Sequence, residues 1–231
     1  MRILALETSA MSGSVALLEG DRLLVERTPA DPTLRTAQWL TVGIEEALRE
    51  AGWKPADVEL IAVTLGPGSF TGLRVGVMTA KTLAYALSTE VVGVCTLQAI
   101  AAQGVEQAAG RPIAAVLNAH RGQLFAAEYR AQGDGLEEVR SAEIVEIEAW
   151  LAEVSGRAGK EDEPLVIGPM MGNLEGQLPA GAAIAEAANW GPRAATIGRL
   201  GWRKFQQHGG DDLWKLLPVY LRPSYAEEKR G

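Results

Sequence analysis

A glycine-rich string at residues 66–76 holds the residue types in this chain that are best suited to chemistry. It reads Gly-Pro-Gly-Ser-Phe-Thr-Gly-Leu-Arg-Val-Gly and follows an apolar run at residues 60–65. Glycines allow a sharp turn and close approach to a ligand, and the start of a helix presents unpaired N–H groups that favour anions. The string is therefore a candidate phosphate-binding loop between a strand and a helix. Its candidate contact residues are Gly66, Pro67, Gly68, Ser69, Phe70, Thr71, Gly72 and Arg74.

A structural explanation of the same loop stays open. Leu73 and Arg74 follow Gly72, where a Walker A motif would need a Lys and then a Ser or Thr. A tight strand-to-helix turn that uses Ser69 or Thr71 as its N-cap would have the same composition. The loop alone therefore does not decide between ligand binding and packing.

Histidine and cysteine are scarce, which narrows the chemistry that the chain offers. The only histidines are His120 and His208, far apart in sequence, and Cys95 is the only cysteine. Histidine near a turn or at a helix end commonly has a structural or solvated role, and a lone cysteine beside apolar residues is typical of a core. We expect no catalytic residue, no metal site and no cofactor.

The composition is that of a globular protein with enough apolar residues for one large domain or two modest ones. The chain has 231 residues, 47% of them hydrophobic, and a net charge of −7. An acidic chain is poorly suited to holding RNA or DNA alone, because phosphate contacts need clustered Lys and Arg. It has no apolar run long enough for a membrane span or a signal peptide, so we expect a cytoplasmic protein.

The order of elements predicts a duplicated α/β fold. Three strands, a helix, a strand and a helix occur in the first part of the chain, and a shorter, less regular copy of that order follows after Gly110. Hairpin strands followed by strand–helix units imply mixed sheets flanked by helices. The pattern predicts a duplicated ribonuclease-H-like fold, as in the actin, Hsp70 and sugar kinase superfamily, with lobes at residues 1–108 and 109–231.

Glu7 ends the first predicted strand, where kinases of that superfamily place an Asp that holds magnesium through water. A carboxylate at this point could still orient a metal or a water molecule, so Glu7 is a degenerate metal position. The structural alternative is a strand-end acid that accepts hydrogen bonds from the turn at Thr8 and Ser9.

The helix predicted over residues 71–87 is apolar on two sides and therefore needs a packing partner on each side. The sheet supplies one, and either a neighbouring helix or a second protein supplies the other. A helix predicted over residues 35–51 would contribute to the same surface. The predicted partner interface consists of Trp39, Val42, Leu73, Val77, Met78 and Tyr85.

Three segments together resemble the TsaB (YeaZ) family of bacterial tRNA-modification proteins. They are Ile-Leu-Ala-Leu-Glu-Thr-Ser at residues 3–9, the string at residues 66–76, and Pro-Val-Tyr-Leu-Arg at residues 218–222. The resemblance implies the duplicated fold predicted above. It also implies a role in making N6-threonylcarbamoyladenosine at position 37 of tRNAs that read codons beginning with A.

The resemblance further implies a non-catalytic scaffold that pairs with TsaD through the first two helices. TsaD carries two metal-binding histidines where this chain has Thr96 and Ile100. TsaE is expected to join the complex and tRNA to be bound only indirectly, while a monomer and a homodimer both stay open for the chain alone. The alternatives are an ATP-dependent kinase-like enzyme and a peptidase of the same superfamily.

Overall fold

A computed structural model of the protein describes residues 1–31, 33–133 and 135–222. These residues form two compact units. The first unit comprises residues 1–96 and 192–219, and the second comprises residues 97–191 and 220–222 of the described chain. The first unit is therefore built from two separate stretches of sequence.

Strands and helices occur in two successive rounds within the described chain. The strands are β1 (Arg2–Glu7), β2 (Ser14–Glu19), β3 (Arg22–Arg27), β4 (Leu60–Gly66), β5 (Glu90–Cys95), β6 (Ile113–His120), β7 (Gln123–Gln132), β8 (Gly135–Glu146) and β9 (Leu165–Ile167). The helices are α1 (Thr36–Ala51), α2 (Phe70–Leu87), α3 (Thr96–Gln103), α4 (Val105–Ala108), α5 (Ile147–Arg157), α6 (Met171–Leu174) and α7 (Ala194–His208).

The two sheets repeat one topology, as the sequence predicts. In the first unit the strand order is β3-β2-β1-β4-β5, and in the second it is β8-β7-β6-β9. In each sheet the first three strands of the round pair antiparallel, and the next strand joins in parallel. The duplicated ribonuclease-H-like fold is thereby confirmed.

Alternation of side chains along β1 gives the first sheet two apolar faces. Leu4 and Leu6 belong to the core that α1 and α2 cover. Ala5 points to the other face, where α7 lies so close that a Cβ at Gly198 would stand 3.2 Å from the Ala5 Cβ. The helices thus cover the sheet on both faces, as expected for strands that are buried along their whole length.

The position of α7 differs from the sequence-based division at residues 108 and 109. That division assigned α7 to the second lobe, whereas α7 packs on the first sheet through Gly198 and Gly201. A Cβ at Gly201 would lie only 2.6 Å from the Ala62 Cβ. Periodicity identifies an amphipathic helix, but it does not reveal which of two similar sheets the apolar stripe covers.

The second unit has its own core between its sheet and α5. Val116, Leu124 and Val166 from the sheet pack with Trp150 and Val154 from α5.

Across the described ranges, no helix combines the length and the apolar character that crossing a bilayer requires.

Candidate functional site

The end of β1 holds a buried carboxylate that is tied to its own turn. Glu7 is 1% exposed. Its Oε1 accepts hydrogen bonds from the Ser9 N–H at 2.6 Å, the Ala10 N–H at 3.2 Å and the Ser9 hydroxyl. Its Oε2 is buried and has no hydrogen-bond partner among the described residues. Glu7 therefore makes the local contacts that the structural alternative predicts.

Burial raises the pKa of the Glu7 carboxyl from its ordinary 4.5 to about 7, although the hydrogen bonds from Ser9 and Ala10 oppose the rise. Removing a carboxylate from water disfavours its charged form, and three donors on one oxygen offset that cost only in part. Near neutral pH the group therefore exists in both protonation states.

Glu7→Gln is expected to flatten the dependence of stability on pH. In the native protein the folded state holds the Glu7 proton more tightly than the unfolded state, so stability falls as pH rises from 4.5 to about 7. A rise of the pKa of this size corresponds to about 3 kcal/mol. Urea unfolding at pH 4.5 and pH 8 should show that loss in the parent and not in the variant. An equal change in stability between the two pH values in parent and variant would contradict the raised pKa of Glu7.

The glycine-rich loop joins β4 to α2 and is capped by its own serine. The Ser69 hydroxyl accepts a hydrogen bond from the Gly72 N–H at 3.2 Å, as an N-cap does. Pro67 is buried, whereas Phe70 and Thr71 lie at the exposed start of α2. Of the two predicted caps, the structure uses Ser69.

The glycines of this loop face protein atoms at very short range. A Cβ at Gly68 would lie 2.6 Å from the Ser9 Cβ, and one at Gly72 would lie 2.2 Å from the Thr8 carbonyl oxygen. The Ser69 N–H also donates to the Ser9 carbonyl at 2.8 Å. The loop and the turn after β1 therefore pack directly on each other, and this packing explains glycine at positions 68 and 72 without a ligand.

Gly66 has a different neighbour, the C-terminal segment that the sequence analysis singled out. The Val219 N–H donates to the Leu65 carbonyl at 2.7 Å. A Cβ at Gly66 would lie 2.6 Å from the Val219 carbonyl oxygen, and Gly66 has φ +126°, a conformation that favours glycine. Two of the three segments that carry the family resemblance thus meet in the first unit.

Arg74 stacks on the aromatic ring at the start of its own helix. Its guanidinium carbon lies 3.8 Å from the centroid of the Phe70 ring, within the range of a cation–π contact. Both residues lie on the exposed side of α2. The contact orders a basic group on that surface.

The structure separates the six residues of the predicted partner interface into two groups. Trp39, Leu73 and Val77 are buried within the first unit. The Trp39 indole N–H also donates to the Ser12 carbonyl, so its polar atom is engaged inside the unit. For these three residues the structure contradicts the predicted interface. One face of each helix must pack on its own sheet, and periodicity alone does not show which face that is.

The other three residues of that prediction are exposed. The exposed fractions are 54% for Val42, 61% for Met78 and 69% for Tyr85. Single exposed apolar residues are ordinary, but a set on adjoining helices is typical of a contact surface. We call Val42, Met78 and Tyr85 the helix patch.

A second group of exposed apolar residues was missed by the sequence analysis. Trp214 and Leu217 lie in an irregular segment after α7, with exposed fractions of 73% and 66%. The Trp214 ring meets the Tyr85 ring edge-on, with 5.9 Å between centroids. The segment has neither helical nor strand periodicity. The one signal in its sequence is a tryptophan, Trp214, shortly before Pro218.

The residues with metal-binding potential belong to different elements of the fold. His120 lies at the end of β6 and His208 at the end of α7, in different units. Thr96 and Ile100 are fully buried. Within residues 1–31, 33–133 and 135–222, no three His, Cys, Asp or Glu side chains lie close enough together to hold a metal ion.

The fold defines a class of protein: an α/β protein with the duplicated ribonuclease-H-like fold that is also found in sugar kinases and actin. An inorganic polyphosphate/ATP-glucomannokinase from Arthrobacter sp. strain KM superimposes with a TM-score of 0.51 over 90% of this chain and 99% of that chain. At 13% identity this likeness shows the fold alone.

Closer relatives identify the family. A family model described as "TsaD: tRNA N6-adenosine threonylcarbamoyltransferase" matches residues 29–168. The tRNA threonylcarbamoyladenosine biosynthesis protein TsaB of Bacillus subtilis is 30% identical over 99% of this chain and 97% of its own length. YeaZ from Pseudomonas aeruginosa superimposes with a TM-score of 0.78 at 26% identity, over 95% of this chain and 99% of that one. The chain belongs to the TsaB (YeaZ) family.

Proposed function

We propose that this chain acts in the biosynthesis of threonylcarbamoyladenosine in tRNA, as a non-catalytic partner of a TsaD-type transferase. The Bacillus subtilis relative, which matches nearly the whole chain, is described as a biosynthesis protein for that nucleoside. The match of the TsaD model to residues 29–168 supports a partner with the same fold.

The observation that carries the partner role is the helix patch. Val42 on α1 and Met78 and Tyr85 on α2 are exposed on elements whose opposite faces are fully buried. The part of the chain matched by the TsaD model includes both helices, so a TsaD-type protein would present helices at the corresponding places. Pairing of the two helix pairs would bury apolar surface from both proteins.

The residues at the end of β1 support a scaffold more than an enzyme. Glu7 accepts hydrogen bonds from Ser9 and Ala10, and atoms of Thr8 and Ser9 occupy the space beside Gly68 and Gly72. A phosphate loop of a kinase would instead keep its backbone N–H groups directed at a ligand. A peptidase would need a nucleophile with an adjacent base, and the residues around Ser9 offer only the carboxyl of Glu7.

The proposal is tested by depletion of the protein and mass spectrometry of tRNA nucleosides. Threonylcarbamoyladenosine is expected to fall to background and to return when the parent gene is restored. Restoration with Met78→Leu, which keeps an apolar side chain, should also succeed, whereas Met78→Glu should fail. Unchanged modification after depletion would contradict the proposal.

Following the family resemblance, we propose that TsaE joins this complex and that tRNA is bound mainly by the partner.

A further inference from the structure

The segment after α7 is an irregular strap that is fixed to the first unit along its length. We define the strap as residues 211–219. At one end the Asp211 carboxylate accepts hydrogen bonds from the Gly93 N–H and from the Lys204 ammonium, both at 2.8 Å. At the other end Val219 donates to the carbonyl of Leu65.

The middle of the strap is held by a lysine of α2. The Lys81 ammonium donates to the Trp214 carbonyl at 3.3 Å and to the Leu216 carbonyl at 3.2 Å. The Leu216 side chain is buried in the core of the first unit. The backbone of the strap is thus pinned at each end and in the middle, while the side chains of Trp214 and Leu217 point outward into solvent.

Large apolar side chains on a pinned backbone are well suited to binding. Ordering a loop on association costs free energy, and a backbone that is already fixed avoids most of that cost. Tryptophan is among the residue types that contribute most to binding at protein interfaces. Trp214 combines these properties, since its backbone is held while most of its ring is exposed.

The strap is continuous with the helix patch. Trp214 meets Tyr85 of α2 directly, and Lys81 of the same helix holds the strap backbone. We propose that Trp214 and Leu217 form part of the surface that binds the TsaD-type partner. This inference rests on the proposed function and extends its interface from two helices to two helices and the strap.

The area of the helix patch supports the extension. A stable interface buries about 800 Å² on each partner. An aromatic side chain buries about 150–250 Å², and Tyr85 is the one aromatic residue of the helix patch, so the patch alone falls short of that area. Trp214 adds a second large aromatic side chain to the surface, and Leu217 adds a further exposed apolar one.

The charge of α2 disfavours one arrangement of a second copy on this surface. The sequence of α2 contains Arg74 and Lys81 and no acidic residue. A symmetric pairing of two copies that set α2 directly against α2 would bring like charges together, which is unfavourable at an interface. A partner with acidic or neutral residues opposite α2 avoids that repulsion.

The test is calorimetric titration of the full chain with the TsaD-type protein of the same organism. Trp214→Ala and Leu217→Ala are each expected to raise the dissociation constant about tenfold or more, as the loss of a central interface side chain does. Val139→Ala, which removes an exposed apolar side chain from β8 of the second unit, is the matched control and should bind like the parent. Melting by circular dichroism should be unchanged in all three variants.

The outcomes separate this inference from the proposed function. If Trp214→Ala and Leu217→Ala bind like the parent while Met78→Glu does not, the strap lies outside the interface and the inference fails alone. If Met78→Glu also binds normally, the helix patch itself is not the interface and the proposed pairing fails. If the strap variants change only self-association, measured by analytical ultracentrifugation, the occupant is a second copy and the inference is overturned.

Discussion

Val77→Glu is expected to unfold the first unit, whereas Met78→Glu is expected to leave it folded and unable to bind a TsaD-type partner. The two residues are neighbours on α2, but Val77 is 2% exposed within the core and Met78 faces solvent. An unpaired carboxylate in an apolar core costs several kcal/mol, a large share of the roughly 5–15 kcal/mol that stabilises a typical domain. At Met78 the same carboxylate stays hydrated until a partner covers it.

Circular dichroism melting measures the first effect, and size-exclusion chromatography with the partner measures the second. Met78→Leu controls for the loss of the native side chain and should behave like the parent. Early melting of both glutamate variants would place Met78 inside the fold. If both variants fold and still bind, α2 is not the partner-binding helix.

Gly72→Ala should destabilise the protein by about 1–3 kcal/mol, the usual cost of overpacking, even though alanine is the better helix former. The added Cβ would stand 2.2 Å from the Thr8 carbonyl oxygen. That oxygen belongs to a backbone that cannot rotate away, so the helix or the end of β1 must shift. The free energy of unfolding in urea measures the loss.

Gly156→Ala is the matched control for Gly72→Ala. Gly156 lies in α5, and a Cβ there would have no neighbour within 4 Å. This substitution should raise stability by up to about 1 kcal/mol, because only the helix propensity changes. If Gly72→Ala also proves as stable as the parent, packing does not explain the loop glycines and a ligand must be sought for them.

Topology and the N-cap were predictable from the sequence because both have local signals. The repeated strand and helix order predicts two sheets of the same type, and Ser69 stands where a strand-to-helix turn needs a cap. The glycines of residues 66–76 were also found, although composition left their role open. Their packing against Thr8 and Ser9 joins residues about 60 positions apart in sequence, which no local pattern reports.

The outer surface of the first unit was less predictable. Periodicity showed that α2 has two apolar sides, but only the structure shows that Val77 packs inward and Met78 outward. The strap was missed because it is irregular and its anchors are distant, as in the contacts of Lys81 with Trp214 and Leu216. The assignment of α7 to the first sheet depends on contacts of Gly198 and Gly201, which are equally non-local.

The return of α7 to the first sheet has a consequence for protein synthesis. When β5 has left the ribosome, one face of that sheet still lacks its cover, because α7 begins about 100 residues later. At about 5–20 residues per second, the wait lasts roughly 5–20 s. During that interval the nascent chain exposes the apolar face that includes Ala5 and Ala62, a surface of the kind that chaperones recognise. The first part of the chain to be made is therefore among the last to be completed.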